Sequence, residues 1–372
     1  MTQGIATRTA YDPARLVRPA IHTLPVYTRN AEPDTKPARE IRLDWNESPY
    51  GPSPKALAAA AAIQAHNRYP EFDAWALREA LATYAGVSPD QIVAGAGLDN
   101  VLETLMFLLV GTGDRVIISE PTFMVYEILA KAHGGEVIDV PLRADFSLDA
   151  EGILDAVDDQ TKLIVICNPN NPTGNLLDPA AIERVVAEAP CVVAIDEAYA
   201  EFAGTSHAAM MERHPNLVIL RTMSKFAGFA GMRVGYGIFP ESLMPYVLRV
   251  MPGFCNVSVA ATAGAVAALE DTEYNRDVVA RIVRDRDQLA KRLRTIPGVE
   301  PLPSATNFLL VRLPVSDAAS IVRELGRRGI YVRHFGNPAF GIADCLRVSI
   351  GKPEDNEIFV SELEAILREN PA

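Results

Sequence analysis

Between residues 91 and 239 the chain alternates short runs of β-branched and apolar residues with longer amphipathic stretches of helical period, and this alternation limits the fold more than any other feature. Strands separated by helices do not close as hairpins; they lie parallel in one sheet with helices over its faces. The strand runs are 92–94, 115–119, 136–140, 162–167, 191–196, 217–221 and 234–238. They predict an α/β fold whose large domain is built on a mostly parallel, seven-stranded sheet. Upstream, residues 41–54 read as a short strand running into turns at Pro49, Gly51, Pro52 and Pro54. An alanine-rich helix follows from Pro54 to about residue 67, then another over 72–84. Downstream, a long charged helix over 272–296 makes a spine between two lobes, and strand runs at 308–311, 330–333 and 345–350 predict a smaller α/β domain.

A chain of 372 residues, 49% of them hydrophobic, is long enough for about two domains with a sizeable core. The expected division is an N-terminal arm over 1–35, a small-domain or linker segment over 36–55, a large domain over 56–285 and a small C-terminal domain over 286–372. The arm is proline-bearing and aperiodic, as in segments that dock late or on a partner. With 35 Lys+Arg against 47 Asp+Glu the net charge is −12, which argues against a nucleic-acid surface. The longest apolar run, 101–110, is interrupted by Glu103 and too short for a bilayer, and no signal pattern opens the sequence, so a cytoplasmic protein is expected. Four dispersed cysteines imply no disulfide framework, and six histidines without ligand spacing imply no metal site.

The segment Arg221-Thr-Met-Ser-Lys225 concentrates the chemistry. Lys225 lies between apolar and small residues, with Ser224 before it and Arg233 eight positions on. Burial lowers a lysine's pKa and makes its amine a nucleophile for carbonyl groups. The cofactor that uses such a lysine is pyridoxal 5′-phosphate, which also needs a carboxylate at its ring nitrogen and a cradle for its phosphate. Gly95-Ala-Gly97-Leu98-Asp99-Asn100 leads from a strand into a helix whose first N–H groups would face an anion; the alternative is a plain glycine turn capped by Asp99. A dinucleotide fingerprint is excluded, because position 100 is Asn where a glycine is required. The run N-P-N-N-P-T-G at 168–174 and the run Asp196-Glu-Ala-Tyr199 both follow strand ends, at the edge where open α/β sheets bind ligands. There Asn171 can donate to a phenolic oxygen, Asp196 can keep a pyridine nitrogen protonated, and Tyr199 can reach the same ligand. Phe123 either stacks on a flat ring or belongs to the core. Arg347, inside the apolar run Cys345-Leu-Arg-Val-Ser-Ile350, and the inward candidate Arg333 call for anions, either a substrate carboxylate or a structural ion pair.

Together with Leu43-Asp-Trp-Asn-Glu-Ser-Pro-Tyr-Gly-Pro-Ser-Pro54 and Asn67-Arg-Tyr-Pro70, these motifs resemble, from about Leu43 to the C-terminus, the fold-type I, aspartate-aminotransferase-like pyridoxal-phosphate enzymes. Within them the chain most resembles the histidinol-phosphate aminotransferases. The resemblance implies transamination of histidinol phosphate with 2-oxoglutarate in histidine biosynthesis, in ping-pong fashion through a Schiff base on Lys225. It implies that Lys225, Asp196 and Tyr199 are catalytic, with Asp196 on the pyridinium nitrogen and Asn171 and Tyr199 on the ring oxygen. Gly97, Leu98 and Asp99, with Ser224 and Arg233, would hold the cofactor phosphate, and Phe123 would cover the ring. Tyr69 would reach that phosphate from the other subunit of a homodimer. Arg347 would take the substrate carboxylate, Arg333 would lie near its distal phosphate, and Asn46 and Tyr27 would complete the substrate site. The chain departs from the family at Leu98 and Asn100, where a small residue and an acid are usual, and at Tyr27, one position late after Pro25. These departures bear on the substrate more than on the cofactor. An aromatic aminotransferase, an amino-acid-phosphate decarboxylase and a non-catalytic binder are the alternatives.

Overall fold

The computed structural model describes residues 12–24, 39–250 and 256–369. Strand β1 (Ile41–Arg42) leads to the helices Pro54–Ala61 and Trp75–Ala85. The large sheet follows with β2 (Ile92–Gly95), β3 (Arg115–Ile118), β4 (Glu136–Asp139), β5 (Thr161–Cys167), β6 (Val192–Asp196), β7 (Leu217–Thr222) and β8 (Gly235–Ile238). All seven expected strands are present, in the order β2-β8-β7-β6-β5-β3-β4. Only β8 runs antiparallel to its neighbours.

Both faces of this sheet are buried, which explains runs that are apolar throughout rather than alternating. Ile164, Ile166, Val193, Ile195 and Ile219 pack into one core. Their sequence neighbours Leu163, Val165, Ala194 and Val218 pack into a second, against Leu102, Leu105 and Met106 of the helix Leu98–Leu109. The period of two along each strand sorts the side chains between these cores. Register then sets the site: Cys167 lies beside Asp196, and Asp196 beside Leu220. The segments after β5, β6 and β7 therefore emerge together at one edge.

The smaller sheet contains β9 (Glu300–Pro301), β10 (Phe308–Arg312), β12 (Arg333–His334) and β13 (Cys345–Ser349), while β11 (Ile330–Tyr331) pairs in parallel with β1. The single strand expected over 330–333 is thus two strands, because its halves bond to different partners. The helix Thr272–Leu293 buries Val278, Ile282, Leu289 and Leu293 and packs against β9 and β10. The two helices that follow β1 are shorter than expected, and the long charged helix stops at Leu293 instead of 296. The first stops at Ala61 because residues 64–69 are all exposed and offer no buried face to sustain further turns. The second starts at Trp75 because Ala74 is left-handed, at φ 51°. Among the described residues no helix is long and apolar enough to cross a membrane, and no group of His, Cys, Asp and Glu is arranged to hold a metal ion.

Candidate active site

An anion cradle lies where β2 and β8 meet the helix Leu98–Leu109. Its N-cap is Gly97, not Asp99, and no side chain caps the helix. Gly97 has φ +90°, and a Cβ there would stand 2.3 Å from Arg233 Nη2. Gly235 lies closer still, with a virtual Cβ 2.2 Å from the Leu98 nitrogen. Two glycines thus let Arg233 and β8 close on the uncapped N–H groups. Arg233 is itself left-handed at φ 54°, a conformation that costs a non-glycine residue about 1 kcal/mol. Its Nη2 donates to Asp99 at 3.2 Å with both groups half-exposed, an ion pair that a bound anion can share. Ser224, buried nearby, is held by Thr222, whose Oγ1 donates to its Oγ at 2.9 Å and accepts from its N–H at 3.1 Å. Asn100 accepts from the Ala96 N–H at 3.3 Å and so tightens the turn.

At the end of β6, Asp196 is buried. Its Oδ1 accepts from the Ala198 N–H at 2.9 Å and its Oδ2 from the Tyr126 hydroxyl at 2.6 Å. Burial pushes its carboxyl up to about 6, and these two hydrogen bonds to the ionised form oppose the rise. Phe123 meets the Tyr126 ring edge to face at 5.5 Å.

Lys225 is half-buried and donates to the Trp45 carbonyl at 3.1 Å. Desolvation first, then the positive charge of Arg347, push its amine from 10.5 down to about 8; Arg233 adds to the shift, while Glu47 and Asp99 oppose it. The segment after β1 touches two further site residues. The Asp44 carbonyl accepts from Arg347 Nη2 at 2.6 Å, and Asn46 Nδ2 donates to the Tyr199 hydroxyl at 2.9 Å. Asn46, left-handed at φ 53°, is held by Ser349 and Asn307, so residues in and beside the smaller sheet set its position. Arg347 also donates to Asn171 Oδ1 at 2.5 Å, which leaves the NH2 side of that amide for a ligand. Arg333 faces Arg347 directly across β12 and β13. Opposed residues of an antiparallel pair share a face, so two cations stand side by side there.

Behind the Lys225 segment, Arg221 bonds Glu201 at 3.0 Å and lies 3.6 Å from Glu197, anchoring β7. A cavity of about 980 Å³ adjoins this pair and Phe226. None of Lys225, Asp196, Asn171 or Arg347 lines it.

Hydrogen bonds and charge effects thus link Arg233, Asp99, Lys225, Arg347, Asn171, Asn46, Tyr199 and Asp196, with Gly97 and Leu98 against Arg233 and β8 and Ser224 next to Lys225. Tyr69 is 84% exposed, and Tyr27 lies outside the described residues. Sequence reasoning missed Tyr126 and the carbonyls of Asp44 and Trp45; no motif marks a backbone acceptor or a tyrosine three positions past Phe123. An anion cradle, a buried acid and a lysine of lowered pKa fit pyridoxal phosphate in its phosphate, ring nitrogen and aldehyde respectively.

The family model for aminotransferase class I and II matches residues 38–363. The histidinol-phosphate aminotransferase of Roseiflexus castenholzii is 42% identical over 94% of this chain and 98% of its own length. The chloroplastic histidinol-phosphate aminotransferase of Nicotiana plumbaginifolia is 38% identical over 88% of this chain and 79% of its own. Among solved structures, the histidinol-phosphate aminotransferase of Sinorhizobium meliloti in complex with pyridoxal-5′-phosphate superposes with a TM-score of 0.84, at 28% identity, covering 98% of this chain and 99% of that one.

Proposed function

The chain belongs to the aminotransferase class I and II family, and from that premise we propose that it transfers the amino group of histidinol phosphate to 2-oxoglutarate with pyridoxal 5′-phosphate as cofactor, in histidine biosynthesis. The observation that carries this reading is Lys225, an amine pushed down to about 8 in a cleft that also holds an uncapped helix start and a buried carboxylate. Pyridoxal phosphate, when bound, supplies an electron sink that makes the substrate Cα–H acidic. The chain's own residues do the rest. Arg233, Ser224 and the first N–H groups of the helix Leu98–Leu109 would bind the phosphate, and Asp196 would hold the ring-nitrogen proton. Tyr199 accepts from Asn46 and so keeps its own hydrogen for the ring oxygen, beside the NH2 group of Asn171. Lys225, with its amine largely neutral above pH 8, would take the proton from the substrate Cα.

Arg347 pairs with the substrate's carboxylate when an amino acid or 2-oxo acid is bound. Arg333, on the same face, takes the distal phosphate of histidinol phosphate. Two adjacent cations favour a substrate carrying a strong anion over a plain aromatic amino acid. The enzyme acts in the cytoplasm as a homodimer in which Tyr69, 84% exposed, reaches the partner's phosphate. The domains divide near residue 285, within the helix Thr272–Leu293. The test is kcat/KM over a panel of amino donors, with the parent and with Arg333→Gln. Preference for histidinol phosphate, reduced at least about tenfold in the variant, supports the reading. Preference for phenylalanine, or CO₂ release without consumption of 2-oxo acid, overturns it.

A further inference from the structure

We propose that Tyr126 is a positioning residue of this site: its hydroxyl orients the Asp196 carboxylate toward the cofactor's ring nitrogen and keeps it ionised, while its ring braces Phe123 over the cofactor face. This rests on Asp196 facing a pyridine ring, as inferred above. Tyr126 lies at the start of the helix Val125–His133 and is fully buried in the second core, among Leu163, Val165, Cys167 and Ala194. A phenol in that setting must find a hydrogen-bond partner, and its hydroxyl donates to Asp196 Oδ2 at 2.6 Å. The other oxygen is held by the Ala198 N–H at 2.9 Å, so both ends of the carboxylate are fixed. Without the hydroxyl, a buried acid surrounded by apolar strand residues favours its protonated form, which cannot stabilise a pyridinium. Tyr126 also meets Phe123 edge to face at 5.5 Å, so one side chain braces both the group beneath the nitrogen and a candidate cover of the ring.

Tyr126→Phe removes only the hydroxyl and keeps the packing. The full-length protein, the Tyr126→Phe and Asp196→Asn variants and the double variant are compared for pyridoxal phosphate dissociation constant, for kcat and KM, and for urea unfolding of the apo forms. Tyr126→Phe is expected to weaken cofactor binding about 10- to 100-fold and to lower kcat about tenfold, with KM for the amino donor changed less than about threefold. In the Asp196→Asn background the same substitution is expected to change cofactor binding less than about twofold, because its effect passes through Asp196. Parental binding and turnover in Tyr126→Phe overturn the proposal, as does an equal loss in both backgrounds, which would mark the hydroxyl as packing alone. Failure of the parent protein itself to bind pyridoxal phosphate would instead overturn the reading of the cleft on which Tyr126's role depends.

Discussion

Replacing Gly235 with alanine attacks the anion cradle without touching a charged group. A Cβ at 235 would stand 2.2 Å from the Leu98 nitrogen, 2.5 Å from the Gly97 carbonyl carbon and 2.6 Å from Leu98 Cα, all of them backbone atoms. Ordinary contact begins at 3.4 Å, so the helix start and β8 must part by about 1 Å. Overpacking of this kind costs about 1–3 kcal/mol of folding stability. The same displacement draws the Leu98 and Asp99 N–H groups away from a phosphate at the helix mouth. Loss of one hydrogen bond to a charged group is worth about 1.5–3 kcal/mol, or a factor of about 10–150 in dissociation constant. The assay is fluorescence titration of the apo-protein with pyridoxal phosphate, with urea unfolding measured in parallel. Gly326→Ala is the control, since it lies in the helix Ala319–Arg327 with nothing within 4 Å of the added Cβ. We expect Gly235→Ala to bind at least about tenfold more weakly and Gly326→Ala to bind like the parent. Parental affinity at an unchanged unfolding midpoint in Gly235→Ala would refute the steric reasoning.

Three further outcomes are expected. Because Lys225 is pushed down to about 8, its neutral, nucleophilic form grows through that pH; the rate of cofactor capture by the apo-protein should rise about tenfold per pH unit below 8 and level off above it. A rise that continues toward the ordinary 10.5 would contradict this. Mixing Lys225→Ala with Tyr69→Ala subunits should restore about a quarter of parental activity from two nearly inactive proteins, since each hybrid dimer carries one intact site; no recovery after subunit exchange places Tyr69 outside the partner's cleft. Asn46→Ala should lower apo-protein stability by about 2–3 kcal/mol, from left-handed strain and lost bonds to Tyr199 and Ser349. Asn46→Gly should recover about 1 kcal/mol of that in urea unfolding, and equal stabilities would refute the strain argument.

Much of this was legible because the chemistry and the fold share residues. A buried parallel strand needs a dense apolar run, so Asp196 stood out as the polar residue that ends one, and Arg347 as a cation inside another. Lys225 stood out by its small and apolar neighbours. The contacts that depend on register and on pairing between distant segments were not legible. Nothing near Ile41 announces that its partner is Ile330, yet that pairing brings Asp44, Trp45 and Asn46 to Arg347, Lys225 and Tyr199. Tyr126 reads as an ordinary core aromatic until β6 places a carboxylate against its hydroxyl. The run over 330–333 reads as one strand because periodicity registers extension and not the identity of the partner.

Borohydride reduction of the cofactor-loaded protein, followed by peptide mapping, tests the central claim most directly. We expect a single pyridoxyl group, on the peptide that carries Lys225, and none in Lys225→Ala protein that still folds. A tag on a different lysine, or its absence from every peptide of a protein that retains pyridoxal phosphate, would contradict the account.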